Sequence, residues 1–263
     1  MSRPADPKAR SALIDAARVE FARRGVKGAR VGDITAACGL SKGAFYLHFP
    51  SKEGLFGSLV EAFVKELERV SLKRLACMEH FRAEHGQPGP ADVAAYSERY
   101  QHFLRMEAAS DLEMLELMWE SRQVVTTLIV GSQGTAFESV MWDLVDREVD
   151  RISQEFRHLQ GHHGENPDVD PGLFGSFIVG TYLLLARQMG RLSHKPDLAA
   201  WSTGIQRLMH EGTAPRGKPL PSSPILLPQA PPSPVAARTP STPSTRRRHA
   251  RAANPHRPPR KRP

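Results

Sequence analysis

The sequence is poor in the residues on which several protein classes depend. Its 263 residues include two cysteines, Cys38 and Cys77, which form neither a Cys-x-x-Cys pair nor a disulfide framework. Aromatic side chains make up 7% of the chain, and alternating runs of β-branched residues, the signal of strands, are missing. These absences argue against a disulfide-stapled secreted protein and favour an all-α chain in a reducing compartment.

Long apolar stretches are missing as well. The longest, residues 174–186, contains Gly, Ser and Thr and is shorter than the ~20 residues that a membrane-spanning helix needs. The N-terminal sequence MSRPADPKARSAL has no apolar core of the kind found in secretory signal peptides. We therefore predict a cytoplasmic protein with no membrane partner.

Acidic residues are absent from the last 51 positions, and charge is unevenly distributed along the chain. Residues 1–52 carry ten Lys and Arg against four Asp and Glu, residues 53–212 carry 15 against 24, and residues 213–263 carry 11 against none. The last segment also holds 14 prolines and has too few apolar residues to form a core. We predict that residues 213–263 are a disordered, proline-rich basic tail, and that the basic N-terminal part binds a polyanion.

The segment over residues 21–56 combines helical apolar spacing, a glycine turn and basic residues. Apolar residues recur three and four apart in a first helix, Gly39 interrupts them, and Phe45 and Phe49 resume the spacing on a second short helix. Gly39 suits a left-handed position after the first helix, and Ser41 suits the N-cap of the second. The pattern predicts a helix-turn-helix that docks on DNA.

The second short helix keeps small, basic and hydroxyl-bearing residues on its outward faces. Lys42 and His48 are suited to donate hydrogen bonds to phosphates or base edges, and small residues let the helix approach the bases. Arg30 stands where a capping residue is expected and is assigned to a phosphate, and Lys52 lies at the N-terminus of the following helix, a favourable phosphate position. The residues predicted to contact DNA are Arg30, Ser41, Lys42, Gly43, Ala44, Tyr46, Leu47, His48 and Lys52.

Four short motifs follow one another over residues 10–57, namely FA-x-x-G, D-I-x-x-x-x-G-[LV]-S-x-G, F-Y-x-H-F and S-K-E-x-L-F. In this order and spacing they resemble the DNA-binding domain of the TetR/AcrR family of bacterial transcriptional regulators. The resemblance implies a homodimer, in most cases a repressor, that binds a palindromic double-stranded DNA operator and is released by a small-molecule effector. Beyond residue 60 the resemblance is one of helical architecture only.

The rest of the chain has the helix-ending glycines and prolines expected between further helices. We predict them over residues 52–78, 92–106, 112–122, 137–158, 172–192 and 197–210, with a turn at 124–129. We assign residues 1–51 to a three-helix DNA-binding domain and residues 52–212 to a helical effector-binding and dimerisation domain. The helix over 172–192 is apolar on nearly every side, so we predict that it and the next helix form the homodimer interface.

Aromatic and methionine side chains of this second domain are suited to line a cavity for an apolar or aromatic effector. We predict contacts to it from Tyr100, Phe103, Met118 and Met141. No cofactor, metal site or catalytic residue is predicted.

Other interpretations of the sequence remain open beside this one. The tail is either a solvated extension, a binder of DNA backbone or a ligand for a protein that recognises prolines, and the second of these allows a non-specific architectural DNA-binding protein. His158 and His162 lie four apart, the spacing of a metal site in a metal-dependent enzyme. Ser41 lies in a G-x-S-x-G motif, but the hydrolase interpretation of that motif requires a preceding strand, and the pattern before Ser41 is helical.

Overall fold

The computed structural model describes residues 6–163 and 169–210, with the backbone alone for residues 158–163. These residues form α-helices and no strand, which confirms the all-α prediction. The predicted tail over residues 213–263 lies outside the described residues. The helices are α1 (Pro7–Gly28), α2 (Val31–Ala37), α3 (Lys42–His48), α4 (Lys52–His85), α5 (Pro90–Ala95), α6 (Glu98–Val130), α7 (Val140–His163), α8 (Pro171–Met189) and α9 (Leu198–His210).

The predicted helix-turn-helix is formed by α2 and α3. Gly39 adopts a φ of +68°, the left-handed conformation predicted for it. The Ser41 hydroxyl accepts a hydrogen bond from the backbone N–H of Ala44 at 3.1 Å and so caps α3. Local sequence thus sets both the turn and the direction in which α3 leaves it.

Aromatic rings join this N-terminal unit to the rest of the chain. Phe56, in the second turn of α4, packs edge-on against Phe21 of α1, with 5.1 Å between ring centroids. On its other side Phe56 packs edge-on against Phe137, at 4.9 Å. All three helices of the N-terminal unit and the long helices share one apolar cluster, so this unit packs directly onto the helical body.

The last turn of α1 docks on the end of α6 through two glycines. Gly25 breaks the helix with φ +69° and ψ 170°, and the next N–H, from Val26, donates to the Gly131 carbonyl at 2.8 Å. A Cβ placed on Gly25 would lie 2.7 Å from that same carbonyl oxygen. Only glycine meets both requirements, because this backbone conformation is essentially restricted to it and the two backbones touch.

We expect Gly25→Ala to lower the free energy of unfolding by at least about 1–3 kcal/mol, the cost of holding a residue with a Cβ in this conformation. The contact with Gly131 adds to that cost. Chemical denaturation measures the change. The matched control is Gly28→Ala, because a Cβ at Gly28 would meet only the Arg24 Cβ at 3.4 Å; equal stabilities for the two variants would refute the docking described here.

The chain over residues 98–130 is one uninterrupted helix, so the predicted break between residues 106 and 112 is wrong, as is the turn over 124–129. The predicted break contains two acidic residues, Glu107 and Asp111. In the structure both side chains are buried, at 5% and 0% exposure, and face a buried arginine. Glutamate and alanine favour a helix, and the charges are neutralised within the fold.

Candidate functional site

The surface of α3 is the first candidate site, and we call it the reading face: Lys42, Gly43, Ala44, Tyr46, Leu47 and His48. Four of these residues are exposed, and Ala44 and His48 are half-buried. Phe45 and Phe49, on the opposite side, are almost fully buried and hold the helix on the core. The structure therefore places the predicted α3 residues together on one accessible surface.

Neighbouring side chains restrain two members of the reading face. The Tyr46 ring packs edge-on against the Phe45 ring, with centroids 5.3 Å apart. The Lys42 side chain runs across α2, and a Cβ placed on Gly32 would lie 3.2 Å from its Cε. A side chain that is already in contact with a neighbour loses less conformational freedom when it binds a partner, which favours a specific contact from Tyr46.

Lys52, predicted to contact a DNA phosphate, bonds to backbone carbonyls within the chain. Its ammonium group has three N–H donors, and all three are used within the chain. They donate to the backbone carbonyls of Val26 at 2.8 Å, Lys27 at 2.9 Å and Ala29 at 2.9 Å. A cation at these carbonyls stabilises the C-terminal end of α1, so Lys52 ties α4 to α1 and has no donor left for DNA in this conformation.

Arg30 remains accessible at the N-terminus of α2. It occupies the N-cap position without a side-chain capping hydrogen bond, as the sequence indicated, and its side chain is exposed. Together with Lys42, it leaves cationic side chains around the helix-turn-helix where a polyanion can reach them.

A cavity of about 1300 Å³ lies within the helical body and is the second candidate site. It is bounded mainly by α4, α6, α7 and α8, with Met209 and His210 of α9 at its margin. Tyr100, Phe103, Met118 and Met141, the four residues predicted from the sequence, all line it. The structure thus brings together side chains from α6 and α7 that are up to 41 positions apart in the sequence.

A buried polar cluster, which sequence analysis missed, lies against this cavity. Arg74 of α4 donates to Asp111 at 2.7 Å and to the Tyr182 hydroxyl at 3.0 Å, and it also pairs with Glu107. Tyr182 in turn donates to Asp111, and the Gln206 amide donates to Asp111 at 2.6 Å. We call these five residues the Arg74 cluster; it joins α4, α6, α8 and α9.

The Arg74 cluster is held by electrostatics in a poorly solvated setting. Burial opposes the charge of Arg74, but Glu107, Tyr182 and Asp111 outweigh it and raise the pKa of the guanidinium. Burial raises the pKa of Glu107, against the effect of Arg74, and burial also raises the pKa of Tyr182. The arginine therefore stays charged and the tyrosine stays a neutral donor.

A sequence signal for this cluster did exist. Glu107 and Asp111 stand four apart on α6, and continuing the same helical spacing gives Met114 and Met118, which line the cavity. Charged residues that share a face with core residues indicate a buried pair, and Arg74 follows Val70 at the same spacing on α4.

The alternative sites gain no support within the described residues. There, no group of three or more His, Cys, Asp or Glu side chains is arranged to hold a metal ion. The side chains of His158 and His162 lie outside the described residues. The hydroxyl of Ser41 caps α3, and the helix α2, not a strand, precedes it. None of the helices in the described part of the chain has the length and apolarity to cross a membrane.

Comparison with known proteins links this geometry to a family. The sequence model described as "Bacterial regulatory proteins, tetR family" matches residues 13–59, which span α2, α3 and parts of α1 and α4. The HTH-type transcriptional repressor DhaR of Mycobacterium sp. (strain GP1) is 42% identical over 60 residues, which cover 23% of this chain and only 30% of that repressor. The HTH-type transcriptional repressor KstR2 of Rhodococcus jostii (strain RHA1) is 29% identical over 146 residues, or 49% of this chain and 68% of that protein.

The fold of the whole helical chain also has solved counterparts. The TetR family transcriptional regulator PfmR from Thermus thermophilus superposes with a TM-score of 0.56 at 20% identity, over 77% of this chain and 99% of that one. The fatty acid degradation regulator FadR from Bacillus halodurans superposes with a TM-score of 0.51 at 16% identity, over 78% and 100%. At these identities the likeness establishes a shared fold, from the helix-turn-helix to the helical body.

Proposed function

We propose that this chain, a member of the TetR family of bacterial transcriptional regulators, is a repressor that binds a palindromic operator as a homodimer. A small apolar or aromatic effector releases it from the DNA. The observation that carries the proposal is the reading face, where one short capped helix presents Lys42, Tyr46 and Leu47 to solvent. An α-helix fits the major groove, in which every base pair presents a distinct pattern of donors and acceptors.

An unpartnered apolar surface supports the homodimer. We call it the α8–α9 face: it consists of the exposed residues Leu173, Phe177 and Leu184 of α8 and Leu208 of α9. The glycines Gly180 and Gly204 have open space where a Cβ would stand, so a second copy can approach both helices closely. Gly175, in contrast, is already covered by α7 of the same chain, because a Cβ placed on it would lie 2.6 Å from the Ser153 hydroxyl. The uncovered side is thus the one left for a partner.

The route from effector to DNA runs through α4 and α6, since both helices line the cavity and both touch α1. Lys52 bonds α4 to the end of α1, and the Gly131 carbonyl bonds α6 to Val26. An effector that separates the two long helices therefore shifts the reading faces from the 34–36 Å spacing of successive major grooves. It weakens operator binding by the difference in its own affinity for the two states.

Selection of bound fragments from a random DNA pool with the full chain tests this function. A recovered palindrome with two half-sites about one helical turn apart supports a dimeric operator-binding regulator. Affinities for the palindrome and for random DNA are then compared at one stated salt concentration. A pool that stays random, with equal affinity for all sequences, contradicts the proposal and leaves non-specific DNA binding.

Replacing members of the reading face should weaken operator binding selectively. We expect Tyr46→Ala and Lys42→Ala each to cost ~1–3 kcal/mol if the side chain reads a base, and the loss then falls on one base-pair position. Lys65→Ala is the control, because Lys65 is an exposed lysine on α4 far along the chain from α3. Equilibrium mobility-shift titrations measure all three variants, and unchanged affinity for both α3 variants would refute the assignment.

A further inference from the structure

A buried carboxylate oxygen in the wall of the cavity has no hydrogen-bond partner among the described residues. Glu107 is 5% exposed and lines the cavity, and its Oε2 pairs with Arg74. Its other carboxylate oxygen, Oε1, is buried and has no hydrogen-bond partner among the described residues. Such a group is costly to leave unsatisfied, so a ligand that bonds to it gains the whole of that interaction.

A second buried polar group lies on the same cavity wall. The hydroxyl of Ser71, on α4, is buried without a partner among the described residues and also lines the cavity. The rest of the lining is mainly apolar, from side chains such as Phe63, Met114 and Leu144. The cavity therefore offers a large apolar space with an unsatisfied acceptor in its wall, a pattern that fixes the orientation of a ligand by one polar group.

The charges around Glu107 determine which polar group a ligand must carry. Arg74 is the guanidinium nearest to Glu107, and its two terminal nitrogens are committed to Glu107, Asp111 and Tyr182. Arg151, farther along the wall, is paired with Glu148 and Glu155. Arg82, the third arginine of the cavity wall, lies about two helical turns beyond Arg74 on α4 and donates from its Nε to Gln87. An anionic head group at Glu107 would therefore meet a carboxylate beside an arginine already in use, whereas a donor would meet a free acceptor.

We infer that the effector of the proposed regulator is an apolar molecule with a hydrogen-bond-donating head group, a hydroxyl in the simplest case, and that Glu107 Oε1 accepts this hydrogen bond inside the cavity. The inference rests on the proposed function only in calling this molecule an effector. The ligand chemistry itself concerns only the protein and the small molecule.

The test compares three probes of similar size by calorimetry with the full chain and no DNA. 1-Decanol and methyl nonyl ether are isomers that differ in whether the oxygen carries a hydrogen, and decanoate replaces the head group by an anion. Mildly alkaline buffer favours the carboxylate form of Glu107, whose pKa burial raises. We expect 1-decanol to bind at least about tenfold more tightly than either of the other two probes, a difference of about 1.4 kcal/mol.

Substitution of Glu107 identifies the acceptor. In Glu107→Gln the amide oxygen must face Arg74, because arginine only donates, so the NH₂ group turns toward the cavity. The preference for 1-decanol over the ether should then fall at least about fivefold, while Glu120→Gln, an exposed position on the same helix, should keep it. Thermal melting verifies that Glu107→Gln folds, and if it does not, the wild-type comparison decides alone.

The outcomes separate this inference from the proposed function. Equal binding of alcohol and ether, tightest binding of decanoate, or no binding of 1-decanol overturns the inference, whatever the protein does on DNA. A clear preference for 1-decanol that Glu107→Gln removes supports it, even if the alcohol fails to release the selected operator. In that last case it is the effector-release part of the proposed function that fails.

Discussion

Arg74→Met should lower the free energy of unfolding by about 3–5 kcal/mol, because it leaves two buried carboxylates without their cation. Methionine replaces the aliphatic stem of the arginine but not its charge or its donors. Glu107 and Asp111 are 5% and 0% exposed, so solvent replaces the lost contacts poorly. Urea unfolding monitored by circular dichroism gives the change.

The same substitution should make stability more dependent on pH. Burial raises the pKa of Glu107 above its ordinary value of 4.5, and Arg74 lowers it, so without Arg74 the pKa rises further. A native state that binds more protons than the unfolded chain loses stability as pH rises. The loss of unfolding free energy caused by Arg74→Met should therefore be larger at about pH 8 than at about pH 5.

Two controls isolate the buried charges. Arg69→Met removes an arginine from the same helix, but Arg69 pairs with Glu66 on the surface, and no measurable change in stability is expected. Adding Glu107→Gln and Asp111→Asn to Arg74→Met should recover part of the loss, because the uncompensated charges are gone. If Arg74→Met unfolds at the same urea concentration as wild type, the cluster is not buried as described.

Charges placed on the α8–α9 face should abolish the proposed dimer and with it operator binding. In the double variant Phe177→Asp and Leu184→Asp, a two-fold interface would bring four carboxylates together in an apolar setting. A monomer binds one half-site without the help of the second reading face. We expect at least about a hundredfold loss of operator affinity, or about 2.8 kcal/mol.

Sedimentation velocity and mobility-shift titration measure the two effects separately. The fold should survive, since the replaced side chains are already 55% and 64% exposed in the single chain. Leu72→Asp is the matched control: that leucine is 66% exposed on α4, outside the α8–α9 face. A double variant that remains dimeric at micromolar concentration would show that the chain associates through another surface.

The local sequence was sufficient for the turn and for the reading face. Gly39 and the capping serine act through hydrogen bonds to residues no more than five positions away, such as Ser41 to Ala44 at 3.1 Å. The outward direction of Lys42 and Tyr46 follows from the position of Phe45 and Phe49 on a helix of known pitch. The four aromatic and methionine residues predicted to contact an effector also line the cavity.

The roles of the charged residues were decided by the tertiary structure. Lys52 reaches carbonyls 23–26 positions earlier in the chain, and Arg74 bonds to residues 33, 37 and 108 positions away. Within a single helix these charged side chains have no partner. A sequence pattern therefore assigns them to solvent or to a ligand. Only the packing of α1 against α4, of α4 against α6 and of α6 against α8 brings opposite charges and carbonyls within bonding distance. This packing is what makes burial of those charges possible.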